Sequence, residues 1–157
     1  MSYKKLFLSI TLSMFVISCA NNSDVNQSMV SDEINDVDLD TTNLNFSSIA
    51  GNKVYFAFDK DELSSEAKET LSRQAEWIKS HNAKILIEGY CDERGTREYN
   101  LGLGMRRANI VKEYLIIQGV DANSINTTSY GKDKPIDVTG SQEEVWAQNR
   151  VAISVII

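Results

Sequence analysis

Hydrophobic and polar positions change their spacing several times in the last two thirds of the chain, and each change indicates a new element. Residues 53–58 are rich in aromatic and β-branched side chains, which is typical of a strand. The next segment has apolar side chains at helical spacing up to Ser80, and Ser64 or Ser65 can cap this helix. Residues 84–91 form another apolar run, which predicts a second strand.

The C-terminal part of the chain continues this alternation. Asn100 can cap a second helix, and Gly119 stands where a glycine commonly ends one. Residues 124–130 predict a third strand, and residues 142–148 predict a helical turn. Residues 149–157 form a nearly continuous apolar run, which predicts the last strand.

The predicted order of elements over residues 53–157 is β-α-β-α-β-(α)-β, which indicates one α+β domain. Strands joined by crossover helices run parallel where they are neighbours, with right-handed connections. We therefore expect a mixed four-stranded sheet with two main helices packed on it.

The N-terminal residues have the pattern of an export signal. Met1–Lys5 is basic, and Leu6–Ile17 is uncharged and mostly apolar. A helix that spans a bilayer needs about 20 residues, so this shorter run matches a signal-peptide core. The run ends in Val16-Ile17-Ser18-Cys19, which resembles a bacterial lipobox. The resemblance implies a signal peptide over residues 1–18 and a lipid-modified Cys19; the alternative is an ordinary secretory signal.

If Cys19 carries a lipid, it cannot form a disulfide with the second cysteine. Cys91 would then have no partner within the chain, so we expect no disulfide. Ala20 follows Cys19 where an Asp tends to retain Gram-negative lipoproteins in the inner membrane, and this favours the outer membrane. We therefore expect a lipid anchor in the outer membrane and a domain in the periplasm.

Charge is distributed unevenly along the chain, whose net charge is −6. Residues 20–52 contain six acidic side chains and no Lys or Arg. Low hydrophobicity with charge of one sign disfavours a packed core, so residues 19–52 predict a disordered acidic tether. No segment has the strong basic excess that binding to a phosphate backbone requires, so we expect no nucleic-acid partner.

The candidate chemistry lies where the first two predicted strands end, because α/β sheets bind ligands beyond the carboxyl ends of their strands. Arg107 lies on the apolar stripe of the second helix, and a partly buried guanidinium requires an anion. We expect Asp92 or a ligand carboxylate to be its partner. An acid for an ammonium and an arginine for a carboxylate would bind a zwitterionic amino-acid centre. The alternative is a solvated loop with weak surface ion pairs.

Four segments share motifs with a known family. Residues 89–96 read G-Y-C-D-E-R-G-T, residues 100–108 read N-L-G-L-G-M-R-R-A, and residues 129–135 read S-Y-G-K-D-K-P. With Asn149-Arg150, they resemble the G-H-x-D-x-x-G-T, N-x-x-L-S-x-x-R-A, S-Y-G-x-x-x-P and N-R-R motifs of OmpA-like peptidoglycan-binding domains, in order and in spacing. The resemblance covers about residues 53–157 and implies the OmpA-like fold.

The resemblance also implies a ligand and partners. The ligand would be the meso-diaminopimelate of the peptidoglycan stem peptide, with Asp92 and Arg107 matching the family's acid and arginine. A TolB-like periplasmic protein would bind an overlapping surface and compete with peptidoglycan. The other residues in matching pocket positions are Phe58, Asp59, Glu93, Arg94, Thr96, Asn100 and Leu103.

Three residues depart from the family motifs: Tyr90 replaces His, Gly104 replaces Ser, and Val151 replaces the second Arg of N-R-R. None of these departures removes Asp92 or Arg107. The aromatic residues near these motifs, including Trp146, are assigned to packing, with Phe58 as the exception.

Two alternatives belong to other functional classes. One is an envelope interaction module that binds TolB or another lipoprotein without binding the wall. The other is a thiol enzyme that uses Cys91, but His81 would lie about 23 Å away along the second strand, and a nucleophile and its base need about 3 Å. With one histidine and two separated cysteines, we expect no metal and no cofactor. We expect the soluble domain to be monomeric.

Overall fold

The computed structural model describes residues 38–157. The predictions for the signal peptide, for Cys19 and for the N-terminal part of the tether lie outside the described residues. The helices within the described range are α1 (Leu39–Ala50), α2 (Ser65–His81), α3 (Arg97–Ile117) and α4 (Gln142–Asn149). The strands are β1 (Lys53–Tyr55), β2 (Ile85–Tyr90), β3 (Ile125–Gly131) and β4 (Val151–Ile156), and a short 3₁₀ turn covers Ala122–Ser124.

The four strands form one mixed sheet in the order β1-β4-β2-β3. Strand β2 runs parallel to β3 and antiparallel to β4, and β4 is also antiparallel to β1. Helix α3 makes the crossover between β2 and β3 and packs against both strands. The predicted α+β architecture with a mixed four-stranded sheet is therefore confirmed. Within residues 38–157, no helix is both long enough and apolar enough to cross a membrane.

Helix α1 occupies residues that the sequence analysis assigned to the disordered tether. Its Phe46 is 0 % exposed and its ring lies 5.0 Å from that of Trp77 on α2. Its Asn43 exchanges two hydrogen bonds with the backbone of Ile156 at the end of β4. The tether prediction is corrected for residues 39–50, because a helix with few apolar residues is stabilised here by distant contacts that its own sequence does not show.

The two main helices follow the predicted boundaries except at one end. Ser64 caps α2, and Gly119, with φ +90°, follows the last turn of α3, as predicted. The cap of α3 is Thr96, whose hydroxyl accepts a hydrogen bond from the backbone of Tyr99, so the assignment of Asn100 as the cap is wrong. Asn100 lies buried in the first turn of α3.

Helix α3 lies unusually close to the sheet at Gly104. A Cβ atom on Gly89 of β2 would lie 1.9 Å from the carbonyl oxygen of Gly104. A Cβ atom on Gly104 would lie 2.3 Å from the hydroxyl of Ser129 on β3. The glycine that departs from the family motif therefore stands where the backbones of α3 and β2 meet.

The substitution Gly89→Ala is expected to lower the free energy of unfolding by about 1–3 kcal/mol, because the added methyl group forces α3 away from β2. Urea denaturation followed by circular dichroism measures this change. Gly102→Ala is the matched control, since its Cβ would meet only Arg106 Nη1 at 3.6 Å. In the helix it should stabilise by about 0.5–1 kcal/mol. Equal effects of the two substitutions would contradict the close contact.

Candidate functional site

A cavity of about 160 Å³ opens beyond the carboxyl end of β2, where the sequence analysis placed the site. The loop after β1, the loop after β2 and the first turns of α3 form its walls. Every predicted site residue except Glu93 and Thr96 lines it. The complete lining consists of Phe58, Asp59, Cys91, Asp92, Arg94, Gly95, Tyr99, Asn100, Leu103 and Arg107.

Arg107 lines the cavity and is almost completely buried, at 1 % exposed. Its Nε and Nη1 donate hydrogen bonds to the carbonyl oxygens of Lys60 and Tyr90, both at 2.8 Å. Nη2 donates to the carbonyl oxygen of Ala57 at 3.2 Å, and Nη1 also lies 3.5 Å from the sulfur of Cys91. A guanidinium has five N–H groups, so these contacts leave one Nη2–H for a ligand.

The partner of Arg107 differs from the prediction. No salt bridge joins Arg107 to Asp92 among the described residues, although both side chains line the cavity. Carbonyl oxygens at the ends of two segments already surround the guanidinium and satisfy most of its donors. Backbone oxygens therefore hold the buried charge where the sequence suggested a carboxylate.

Asp92 also lines the cavity and is 5 % exposed. Arg94 donates to it from the backbone at 3.2 Å, from Nε at 3.1 Å and from Nη2 at 2.6 Å. Arg150 Nη1 lies 3.6 Å from the same carboxylate. Burial by itself would raise the pKa of Asp92, but the hydrogen bonds from Arg94 and the two arginine charges hold that pKa below its usual value. Asp92 is therefore an anion at neutral pH.

The Arg94 side chain lies between two aromatic rings. Its guanidinium carbon is 3.9 Å from the ring centre of Phe58 and 3.9 Å from that of Trp146. The indole N–H of Trp146 donates to Glu93 at 3.1 Å. Glu93 therefore faces α4 and lies outside the cavity. Thr96 also lies outside it, because its hydroxyl caps α3.

The outer rim of the cavity carries a second carboxylate. Asp59 has a φ of +56°, a backbone conformation that Asp tolerates better than most residues and that often occurs near functional sites. It accepts a hydrogen bond from the hydroxyl of Tyr99 at 2.6 Å. That hydrogen bond raises the pKa of Tyr99, which stays protonated. Phe58 stands beside Asp59 and is 56 % exposed.

Sequence reasoning missed five residues of this region, and two of them, Cys91 and Gly95, line the cavity within the matched motif over residues 89–96. Tyr99 lines the cavity, Trp146 stacks on Arg94, and Arg150 approaches Asp92. Arg150 Nη1 is the one buried side-chain nitrogen or oxygen without a hydrogen-bond partner in the described part of the chain. The N-R-R resemblance contained a signal for Arg150. The stacking of Trp146 depends on a contact across the fold that no local pattern shows.

Two of the three departures from the family motifs are spatial neighbours. Tyr90 and Val151 are both buried in a small apolar cluster with Ile153. Tyr90 follows Gly89 in β2, Val151 precedes Ala152 in β4, and Gly89 pairs with Ala152. An aromatic ring and a Val side chain therefore occupy the positions of the family's His and second Arg, and neither side chain lines the cavity.

The surroundings of Cys91 disfavour the thiolate that a nucleophile needs, although Arg107 lies beside its sulfur. Cys91 is buried, forms no disulfide, and directs its thiol toward the carbonyl oxygen of Asn100. Burial raises the pKa of this thiol, so the reactive thiolate is disfavoured. Across residues 38–157, no group of three or more His, Cys, Asp or Glu side chains could hold a metal ion.

The substitution Asp92→Asn is expected to lower the free energy of unfolding by about 1–3 kcal/mol at pH 7, because it removes charged hydrogen bonds to Arg94. A lowered pKa stabilises the fold above the unfolded value of about 3.9 and loses that effect as the pH falls through the folded value. Urea denaturation from pH 7 to pH 2 should show the difference from wild type shrinking below about pH 3.9.

Asp133→Asn is the control for this titration, since it breaks the exposed ion pair with Arg97. It should cost at most about 1 kcal/mol at pH 7. A difference for Asp92→Asn that stays constant down to pH 2 would contradict the charged state of Asp92.

Comparison with known proteins places the domain that contains this cavity in a family. The sequence matches the OmpA family over residues 55–150. It is 37 % identical over 152 residues to the peptidoglycan-associated lipoprotein of Agrobacterium fabrum, covering 95 % of this chain and 85 % of that protein. It is 46 % identical over 107 residues to the peptidoglycan-associated lipoprotein of Rhizobium meliloti, covering 68 % of this chain and 60 % of that protein.

A solved structure of a peptidoglycan-associated lipoprotein also matches this chain. The crystal structure of the peptidoglycan-associated lipoprotein from Burkholderia pseudomallei superposes with a TM-score of 0.67 at 40 % identity. The match covers 73 % of this chain and 98 % of that chain. The chain therefore belongs to the OmpA family and, within it, to the peptidoglycan-associated lipoproteins.

Proposed function

We propose that this chain binds peptidoglycan non-covalently through the diaminopimelate of the stem peptide, and so links the outer membrane to the cell wall. The observation that carries the proposal is that Asp92 and Arg107, which have opposite charges, line one small cavity. The two side chains form no salt bridge with each other, and both line the cavity, so a ligand in the cavity can contact both.

The charges of Asp92 and Arg107 are complementary to the ammonium and the carboxylate of an amino-acid centre. The carboxylate of Asp92 would accept hydrogen bonds from the ligand ammonium, and the remaining Nη2–H of Arg107 would donate to the ligand carboxylate. The positive end of the α3 dipole points into the same region and favours the same carboxylate.

The size of the cavity limits how much of the ligand it can enclose. A volume of about 160 Å³ is below the range of about 300–1,000 Å³ typical of sites that enclose a whole small molecule. One end of diaminopimelate would therefore enter, and the rest of the stem peptide would lie across the exposed rim at Phe58 and Tyr99.

The remaining parts of the proposal rest on the family and on the N-terminal sequence. A lipid on Cys19 would anchor the chain in the outer membrane, with the domain in the periplasm. A TolB-like protein would bind a surface that overlaps the cavity, which would make the chain part of the Tol-Pal system. Through that system it would support envelope integrity and cell division.

The family is non-enzymatic, and the buried thiol of Cys91 agrees with that. The rival proposal is an envelope interaction module that has lost wall binding. Wall binding by the wild-type protein decides between the two.

We expect the detergent-solubilised full chain to co-sediment with purified diaminopimelate-type peptidoglycan. Asp92→Asn removes the anion that meets the ammonium and should weaken binding by about tenfold or more. Arg107→Lys keeps the charge but loses the planar set of donors, and should weaken binding similarly.

The matched control for co-sedimentation is Asp133→Asn, which lies outside the cavity and should bind as wild type does. Circular dichroism of each variant separates loss of binding from loss of fold. Folded Asp92→Asn and Arg107→Lys proteins that bind as tightly as wild type would refute the site. A wild-type protein that does not sediment with peptidoglycan would favour the interaction module.

Mass spectrometry of the protein purified from membranes tests the anchor. The expected mature chain begins at Cys19 and carries the added mass of acyl groups at its N-terminus. Cys19→Ser should abolish both the cleavage and the added mass. A mature wild-type chain that begins elsewhere and carries no lipid would overturn the lipoprotein assignment of residues 1–19.

A further inference from the structure

Asp92 already has a cation bound to it, and that cation belongs to the chain itself. Oδ1 accepts from the backbone N–H and from Nε of Arg94, and Oδ2 accepts from Nη2 of the same residue. Both carboxylate oxygens of Asp92 therefore already accept hydrogen bonds from Arg94. A ligand ammonium reaches Asp92 only if the Arg94 side chain moves or shares the carboxylate.

The position of Arg94 is supported on three sides. Phe58 and Trp146 cover the two faces of its guanidinium at 3.9 Å, and Asp92 binds its edge. Trp146 is fixed in turn by its hydrogen bond to Glu93. The Arg94 side chain nevertheless remains 29 % exposed, so a ligand can reach it from the solvent.

Charge pairing decides which ligands make this movement favourable. An arginine that leaves Asp92 loses its charged hydrogen bonds, and a lone ammonium offers it no replacement. A ligand with a carboxylate beside its ammonium offers a new anion at the same site. Arg107 needs this help, because it has one N–H left and cannot bind a carboxylate through two hydrogen bonds.

We propose that Arg94 determines specificity by exchanging the Asp92 carboxylate for the ligand carboxylate when the ligand enters. In the free protein the pair is Asp92 with Arg94. In the complex the pairs are Asp92 with the ligand ammonium and Arg94 with the ligand carboxylate. The cavity therefore selects a zwitterionic amino-acid centre over a lone ammonium. This inference rests on the proposed function, since it concerns the same cavity.

Two stem peptides test the exchange because they differ by one carboxylate. The tripeptide L-Ala-γ-D-Glu-meso-diaminopimelate carries the zwitterionic end, and L-Ala-γ-D-Glu-L-Lys carries a lone ammonium in its place. Isothermal titration calorimetry of the full chain measures both affinities. Wild type should prefer the diaminopimelate peptide by about tenfold or more.

The variant Arg94→Met keeps an unbranched stem between the two rings and removes the charge. It should bind the lysine peptide more tightly than wild type does, and the preference for diaminopimelate should fall to about threefold or less. Arg97→Met is the matched control, because Arg97 pairs with the exposed Asp133 and does not line the cavity. It should keep the wild-type preference.

The outcomes of these titrations distinguish failure of the exchange from failure of the proposed function. A folded Arg94→Met protein with the wild-type preference overturns the exchange. Loss of both peptides by folded Arg94→Met also overturns it, because Arg94 would then be needed to position Asp92. Arg94→Gln, which also removes the charge, is the second variant if Arg94→Met does not fold. Wild-type protein that binds neither peptide overturns the proposed function itself.

Discussion

The buried guanidinium of Arg107 is the group on which the site depends. It ties α3 to the loop after β1 and to the end of β2 through carbonyl oxygens of Ala57, Lys60 and Tyr90. Those carbonyl groups lie in the loop after β1 and at the end of β2, so the guanidinium also satisfies backbone acceptors at both places. The same side chain lines the cavity, so the contacts that hold these segments together also shape the site.

Much of the fold could be predicted because its signals are local. The apolar runs of β2 and β4, the Ser64 cap and the glycine after α3 each depend on a few adjacent residues. The location of the cavity also followed from sequence, since the loop after a strand of an α/β unit is a general place for ligands. The motif residues then placed Asp92 and Arg107 on the same cavity.

The rest could not be predicted because it depends on contacts between distant residues. Helix α1 has little apolar periodicity, and the burial of Phe46 against Trp77 is visible only once α2 is in place. The partner of Arg107 was misjudged for the same reason: a sequence shows charged side chains but not the direction of carbonyl groups. The stack of Arg94 on Trp146 joins residues far apart in the chain.

The position of α1 bears on how the domain would carry mechanical load. Asn43, near the start of α1, binds Ile156, which pairs with Ile85 at the end of the sheet opposite the cavity. A pull between the N-terminal side of the domain and a ligand in the cavity would therefore act along the strands. Hydrogen bonds between antiparallel strands are perpendicular to the strands, so force in that direction would load several of them together instead of one at a time.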